Sequence, residues 1–119
     1  MDRRELTRAY RETRRPMGIF RVRNTANDRA LVACSLDLPA SLNRERAQLR
    51  FGAHRNAAMQ QDWNALGADA FVFEVLDTLT PVDRPDWDPT DDLRALEELW
   101  LERLEPFADR GYTPRPKRR

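Results

Sequence analysis

Cysteine and histidine are almost absent: Cys34 and His54 each occur once in a chain of 119 residues. A lone cysteine excludes an internal disulfide, and one residue of each kind excludes a zinc site of the Cys/His type. No apolar run approaches the roughly 18 residues that a membrane span needs, so no membrane partner is expected. The N-terminal Met1-Asp2-Arg3-Arg4-Glu5-Leu6 mixes charges and lacks the apolar stretch of a secretion signal, which predicts a cytoplasmic protein. Internal repeats and low-complexity tracts are missing too. A chain of this length buries about two thirds of its unfolded surface. It can therefore support one self-sufficient domain without a structural metal.

What is present is charge, unevenly placed. Residues 1–55 carry a net +7, residues 56–109 a net −11 and residues 110–119 a net +5, against +1 overall. Such polarity is compatible with a nucleic-acid-facing half, or with two halves whose charges pair on the surface. The basic residues are almost all arginine, whose planar fork suits phosphate oxygens.

Local patterns predict an α+β chain. A helical extension is expected within residues 1–16, at residues 3–14, with Leu6 and Tyr10 sharing a face and Pro16 ending it. Strands are expected near residues 17–23, 30–35 and 70–77, the first two joined as a hairpin by the turn residues Asn24 to Asp28. Helices are expected from Pro39 to about Phe51, from Asn56 to Leu66 with Gly67 closing it, and after Thr90, read as its cap. Leu93, Leu96, Trp100 and Leu104 make the apolar stripe of the last helix, and Pro106 stops it. The resulting fold is a small three-stranded, largely antiparallel sheet flanked by helices. Tyr112 to Arg119 reads as a basic tail, its domain boundary placed at residue 114.

Glu97 breaks the pattern. At about 100° per residue it falls inside the apolar arc of its helix, whereas Glu98, Glu102 and Glu105 face solvent. A carboxylate on a buried face needs an arginine, a metal or a proton. His54 has polar and basic neighbours and reads as a surface residue, or as an acid, base or hydrogen-bond donor beside a phosphate. Arg44, Arg46 and Arg50 line the second predicted helix, with Ser41 one turn from Arg44. Arg21 and Arg23 point to one side of the first strand, which extends a basic patch. Cys34, inside an apolar strand, reads as a small core residue.

Gly18-Ile19-Phe20, with Phe20 eleven residues before Leu31-Val32-Ala33, resembles the two-strand signature of the GIY-YIG endonucleases. His54, Asn64 and Gly67 follow at family-like intervals. Leu96-Glu97 with Trp100-Leu101 resembles the family's last conserved helix, and Gly111-Tyr112 the start of its closing Gly-Tyr-Asn. The match covers residues 17–113. With Gly52 to Asn56 as a Gly-x-His-x-Asn stretch, it is most like the small stand-alone bacterial members.

The resemblance implies a GIY-YIG-like domain, with Glu97 holding Mg²⁺ or Mn²⁺ and His54, Arg44 and Arg46 near the scissile phosphate. The arginines of residues 21–55, chiefly Arg21, Arg23, Arg44, Arg46, Arg50 and Arg55, are expected to form a nucleic-acid face together with the C-terminal Arg/Lys tail, with DNA favoured over RNA. Phe20 and Leu31 replace the motif's two tyrosines, Ala33 the following glycine, Ser41 the phosphate-binding arginine and Thr113 the closing asparagine. Phenylalanine and leucine cannot transfer a proton. The expectation is a nuclease-like binding protein with impaired or absent cleavage. The alternatives are a divergent active Mg²⁺-dependent endonuclease, or a protein-interaction module that uses the acidic 56–109 segment.

Overall fold

The computed structural model describes residues 15–114; the helix expected at residues 3–14 and the tail from residue 115 lie outside them. Strand β1 (Gly18–Asn24) pairs antiparallel with β2 (Ala30–Ser35) on one side and with β3 (Phe71–Thr78) on the other, giving the order β2-β1-β3. The central strand is therefore hydrogen-bonded along both edges, and Ile19 and Val22, which point to opposite faces of the sheet, have no exposed surface. Asn24 closes the hairpin: its carbonyl accepts from the Asp28 amide at 2.8 Å and its side chain accepts from the Ala26 amide at 3.0 Å.

Helices α1 (Leu38–Arg50) and α2 (Ala57–Leu66) belong to one face of the sheet and α3 (Thr90–Leu104) to the other. The first core joins Phe20, Val22 and Leu31 to Leu38, Leu49 and Met59. The second joins Ile19 and Val32 to Leu101, with Leu76, Leu96 and Trp100 packed around them. Helix starts follow from side-chain caps. Asp37 accepts from the Ala40 amide and Asn56 from the Met59 amide, each satisfying a donor the helix itself leaves open. Thr90 does not cap α3. Pro89 occupies the cap position, and Asp88 Oδ1 accepts from both the amide (2.9 Å) and the hydroxyl (2.7 Å) of Thr90. Those two bonds hold the Asp88 carboxyl below its ordinary pKa.

Two glycines are required by close approach. A Cβ on Gly18 would lie 2.0 Å from the Asp77 carbonyl oxygen of β3, and one on Gly111 would lie 1.9 Å from that of Pro106. The first explains the opening glycine of the strand motif: it lets β1 and β3 meet beside the bulge at Ile19/Phe20.

The outer edge of β2 is sealed by distant segments. Gly111 bridges Ala30, and the Tyr112 amide donates to the Ala30 carbonyl at 2.8 Å. Thr113 Oγ1 accepts from the Val32 amide at 3.0 Å, and Glu97 Oε2 accepts from the Cys34 amide at 2.9 Å. Tyr112 is itself locked, its hydroxyl donating to Asp62 at 2.5 Å and accepting from Asn24 at 3.0 Å. Burial, then the bond to Asp62, pushes its phenol pKa up. Among the described residues no helix is long and apolar enough to cross a membrane.

Candidate functional site

A cleft of about 440 Å³ opens where the end of β2 meets α1 and the start of α3. Its walls include Cys34, Ser35, Ser41, Arg44, Thr90 and Leu93. The hydroxyls of Ser35 and Ser41 lie 2.5 Å apart, and Ser35 Oγ accepts from the Asp37 amide at 2.9 Å. This tie fixes the β2–α1 junction and holds two hydroxyls beside a guanidinium. Arg44 is exposed and makes no ion pair among the described residues.

Glu97 adjoins the cleft through Cys34. Trp100 Nε1, one turn along the same helix, donates to Asp77 at 3.0 Å and pins α3 to β3. Glu97 is half-buried, as its place in the apolar arc predicts, yet no arginine pairs with it among the described residues. A backbone amide meets its need instead. Cys34 is exposed rather than a core residue, because it lies near the end of an edge strand. Burial of the sulfur, the Glu97 charge and a hydrogen bond to Glu97 push its thiol pKa up to about 11. Arg94, near enough to oppose that shift, supplies a further positive charge.

The other predicted residues are placed elsewhere. Phe20 and Leu31 are 3% and 9% exposed and sit in the core beneath α1 and α2, on the sheet face away from α3. They do not share an open cleft with Glu97. His54 is buried, not a surface residue. Its Nε2 meets Glu45 Oε2, its Nδ1 accepts from the Asn56 amide at 3.0 Å, and its own amide donates to Gln60 at 3.0 Å. With Nδ1 accepting, the ring proton belongs on Nε2 and is donated to the carboxylate. Arg46 stacks over the Phe73 ring at 4.6 Å.

Arg21 and Arg23 do not form a free basic patch. Glu74 lies opposite Arg21 in the register and accepts from its Nη2 at 2.7 Å, while Arg23 divides itself between Glu74 and Asp28, each at 3.3 Å. A charge within the apolar run Phe71–Leu76 was the signal for Glu74. Glu45 had the same signal: it lies between Leu38 and Leu49 on the buried stripe of α1. The Ser35–Ser41 contact left no such trace.

The residues available for a metal are few. Among the described residues no three His, Cys, Asp or Glu side chains converge. Mg²⁺, however, is commonly held by one or two carboxylates, with water and substrate phosphates completing its shell. Glu97, adjoining a cleft that presents Arg44 and the Ser35 and Ser41 hydroxyls, fits that kind of site.

No family model matches the chain, and no curated protein matches it in sequence. Two solved structures do. The catalytic domain of homing endonuclease I-TevI superposes with a TM-score of 0.68 at 22% identity, over 84% of this chain and 99% of that one. A glutamate-to-alanine mutant of the catalytic domain of intron endonuclease I-TevI gives 0.61 at 21% identity, over 76% and 84%. With its three-stranded antiparallel sheet and flanking helices in that arrangement, this chain has the fold of a GIY-YIG endonuclease catalytic domain.

Proposed function

We propose that this protein binds DNA through a GIY-YIG nuclease-like cleft, with phosphodiester cleavage impaired or absent. The observation that carries the reading is the state of the two motif positions. Phe20 and Leu31 are packed into the core and have no group that orients or deprotonates water. Removing general-base assistance costs roughly a hundredfold to ten-thousandfold in rate. His54, held at both ring nitrogens, supports the same conclusion. Binding chemistry is retained: Arg44, Ser41 and Ser35 face the cleft, and Arg94 stands near it.

A second reading, an active Mg²⁺- or Mn²⁺-dependent endonuclease, rests on Glu97, which lacks an arginine partner among the described residues and stays half-exposed. A bound ion there would activate water and neutralise charge on the phosphate. In that reading Arg44 positions the phosphate. Cleavage assays on single-stranded, duplex and branched DNA with Mg²⁺ or Mn²⁺ separate the two. The first reading expects binding that weakens in Arg44→Ala and is nearly unchanged in Glu97→Gln, with no metal-dependent cleavage. Wild-type cleavage that disappears in Glu97→Gln establishes the second.

A further inference from the structure

Phe51 is 84% exposed, more than any other large apolar residue described. It follows α1 directly, with αR backbone, and its amide donates to the Ala47 carbonyl at 3.0 Å. The next two amides are also held, Gly52 by Leu49 at 3.2 Å and Ala53 by Gln48 at 2.9 Å. The ring thus projects from a fixed backbone rather than from a loose loop. Gly52, at φ 71°, reverses the chain immediately after it.

The surroundings of the ring are cationic. Counting about 100° per residue from Arg44, Phe51 falls about 20° away, and Asn43 and Arg50 lie further round on the same side. The buried Leu38, Glu45 and Leu49 occupy the opposite side. Phe51 is two turns, or about 10.5 Å, along the axis from Arg44. Arg55 follows in the turn. Arg44, Arg50 and Arg55 are exposed and have no ion-pair partner among the described residues. By contrast, Arg21, Arg23, Arg29 and Arg110 are paired with acids, and Arg46 and Arg103 are stacked on rings. Arg84 and Arg94 are also exposed and unpaired among the described residues, but Arg44, Arg50 and Arg55 are the ones grouped around an exposed aromatic.

We infer that the outer face of α1 is a binding site for unpaired nucleic acid, in which Phe51 stacks on an exposed base while Arg44, Arg50 and Arg55 hold phosphates on either side. This inference rests on the nucleic-acid reading above and names its substrate class: single strands, flaps or junctions. Bases inside a duplex are already stacked and offer the ring no face, whereas every unpaired base does. The arginine end of the surface runs into the cleft at Arg44, so one strand can occupy both.

The test is fluorescence anisotropy of the full chain with a labelled single-stranded oligonucleotide, as DNA and as RNA, and with the matching blunt duplex. Phe51→Ala should weaken single-strand binding about five- to a hundredfold and change duplex binding less than twofold. Phe51→Trp should preserve it, whereas Phe51→Leu, which keeps apolar area without an aromatic face, should behave like alanine. The ring is 84% exposed and belongs to neither core, so the melting temperatures of these variants should stay close to the wild type. Wild-type single-strand binding that is unchanged in Phe51→Ala overturns this inference and leaves the cleft reading standing. Absence of binding to any nucleic acid removes both. Phe51-dependent binding to anionic phospholipid vesicles, without Phe51-dependent strand binding, assigns the face to membranes and also overturns the inference.

Discussion

Cys34 and Glu97 form a coupled pair at the edge of the cleft. The thiol is both exposed to reagent and chemically quiet, since the thiolate is the reactive form and its pKa is raised to about 11. The carboxylate beside it disfavours a second negative charge, so loss of the proton is postponed as pH rises. At pH 8 only about one thiol in a thousand is ionised, against roughly a quarter for a free cysteine at its ordinary pKa of about 8.5. Iodoacetamide alkylation at pH 8 should therefore be far slower than in a Cys-containing peptide and should accelerate as pH approaches 11. Glu97→Gln removes the neighbouring charge and should lower the apparent pKa and speed the reaction at pH 8. An alkylation profile unaffected by that substitution would sink the pairing. Residues of this kind are hard to read from sequence. An apolar strand suggests a buried cysteine, and only topology reveals that the strand is an edge. His54 was obscured differently: its partner Glu45 lies nine residues away on a helix stripe where an acid is unexpected.

Elements were more legible than their junctions. Period-two alternation and β-branched content are local properties, and they located all three described strands to within a residue or two. Helix starts are local too: Pro39 and Asn56 place those of α1 and α2 to within a residue, although the capping roles of Asp37 and Asn56 go unread and the cap expected at Thr90 is displaced by Pro89 and Asp88. The sealing of β2 was not legible, because Thr113 meets Val32 across 81 residues and no pattern in either segment announces the other. The seal leads to a specific expectation. Thr113→Val keeps the shape but removes the acceptor for the Val32 amide, and should cost about 1–3 kcal/mol in urea unfolding. Hydrogen exchange should localise the loss to that amide. Wild-type protection at Val32 in the variant would show that the hydroxyl is dispensable.

At the scale of the whole molecule the charge asymmetry is only partly what it looked like. Some of the basic half is neutralised internally, with Glu74 taking up Arg21 and Arg23 and Asp62 approaching Arg29 at 3.6 Å. Among the described residues of that half, the arginines left without an acid or a ring are Arg44, Arg50 and Arg55, the first of them at the cleft. A measurement separates the two populations. Each phosphate contact contributes about 0.7–0.9 to the slope of log affinity against log salt. Arg44→Ala and Arg50→Ala should each lower that slope by about this amount, whereas Arg23→Ala should leave it almost unchanged and weaken the fold instead. Equal effects from all three would mean that the Glu74 cluster opens on binding.

The seal on β2 also has a consequence for the order in which the molecule is made. Synthesis runs from the N-terminal end, so the β1–β2 hairpin is complete long before Gly111 to Thr113 exist. Throughout that interval the outward amides of Val32 and Cys34 face solvent, and the edge is a template for any neighbouring strand. α3 delivers Glu97 first and closes one end; the other waits for the last described residues. Nascent chains stalled between these two points should be the ones that pair with each other, an exposure set by the timing of synthesis.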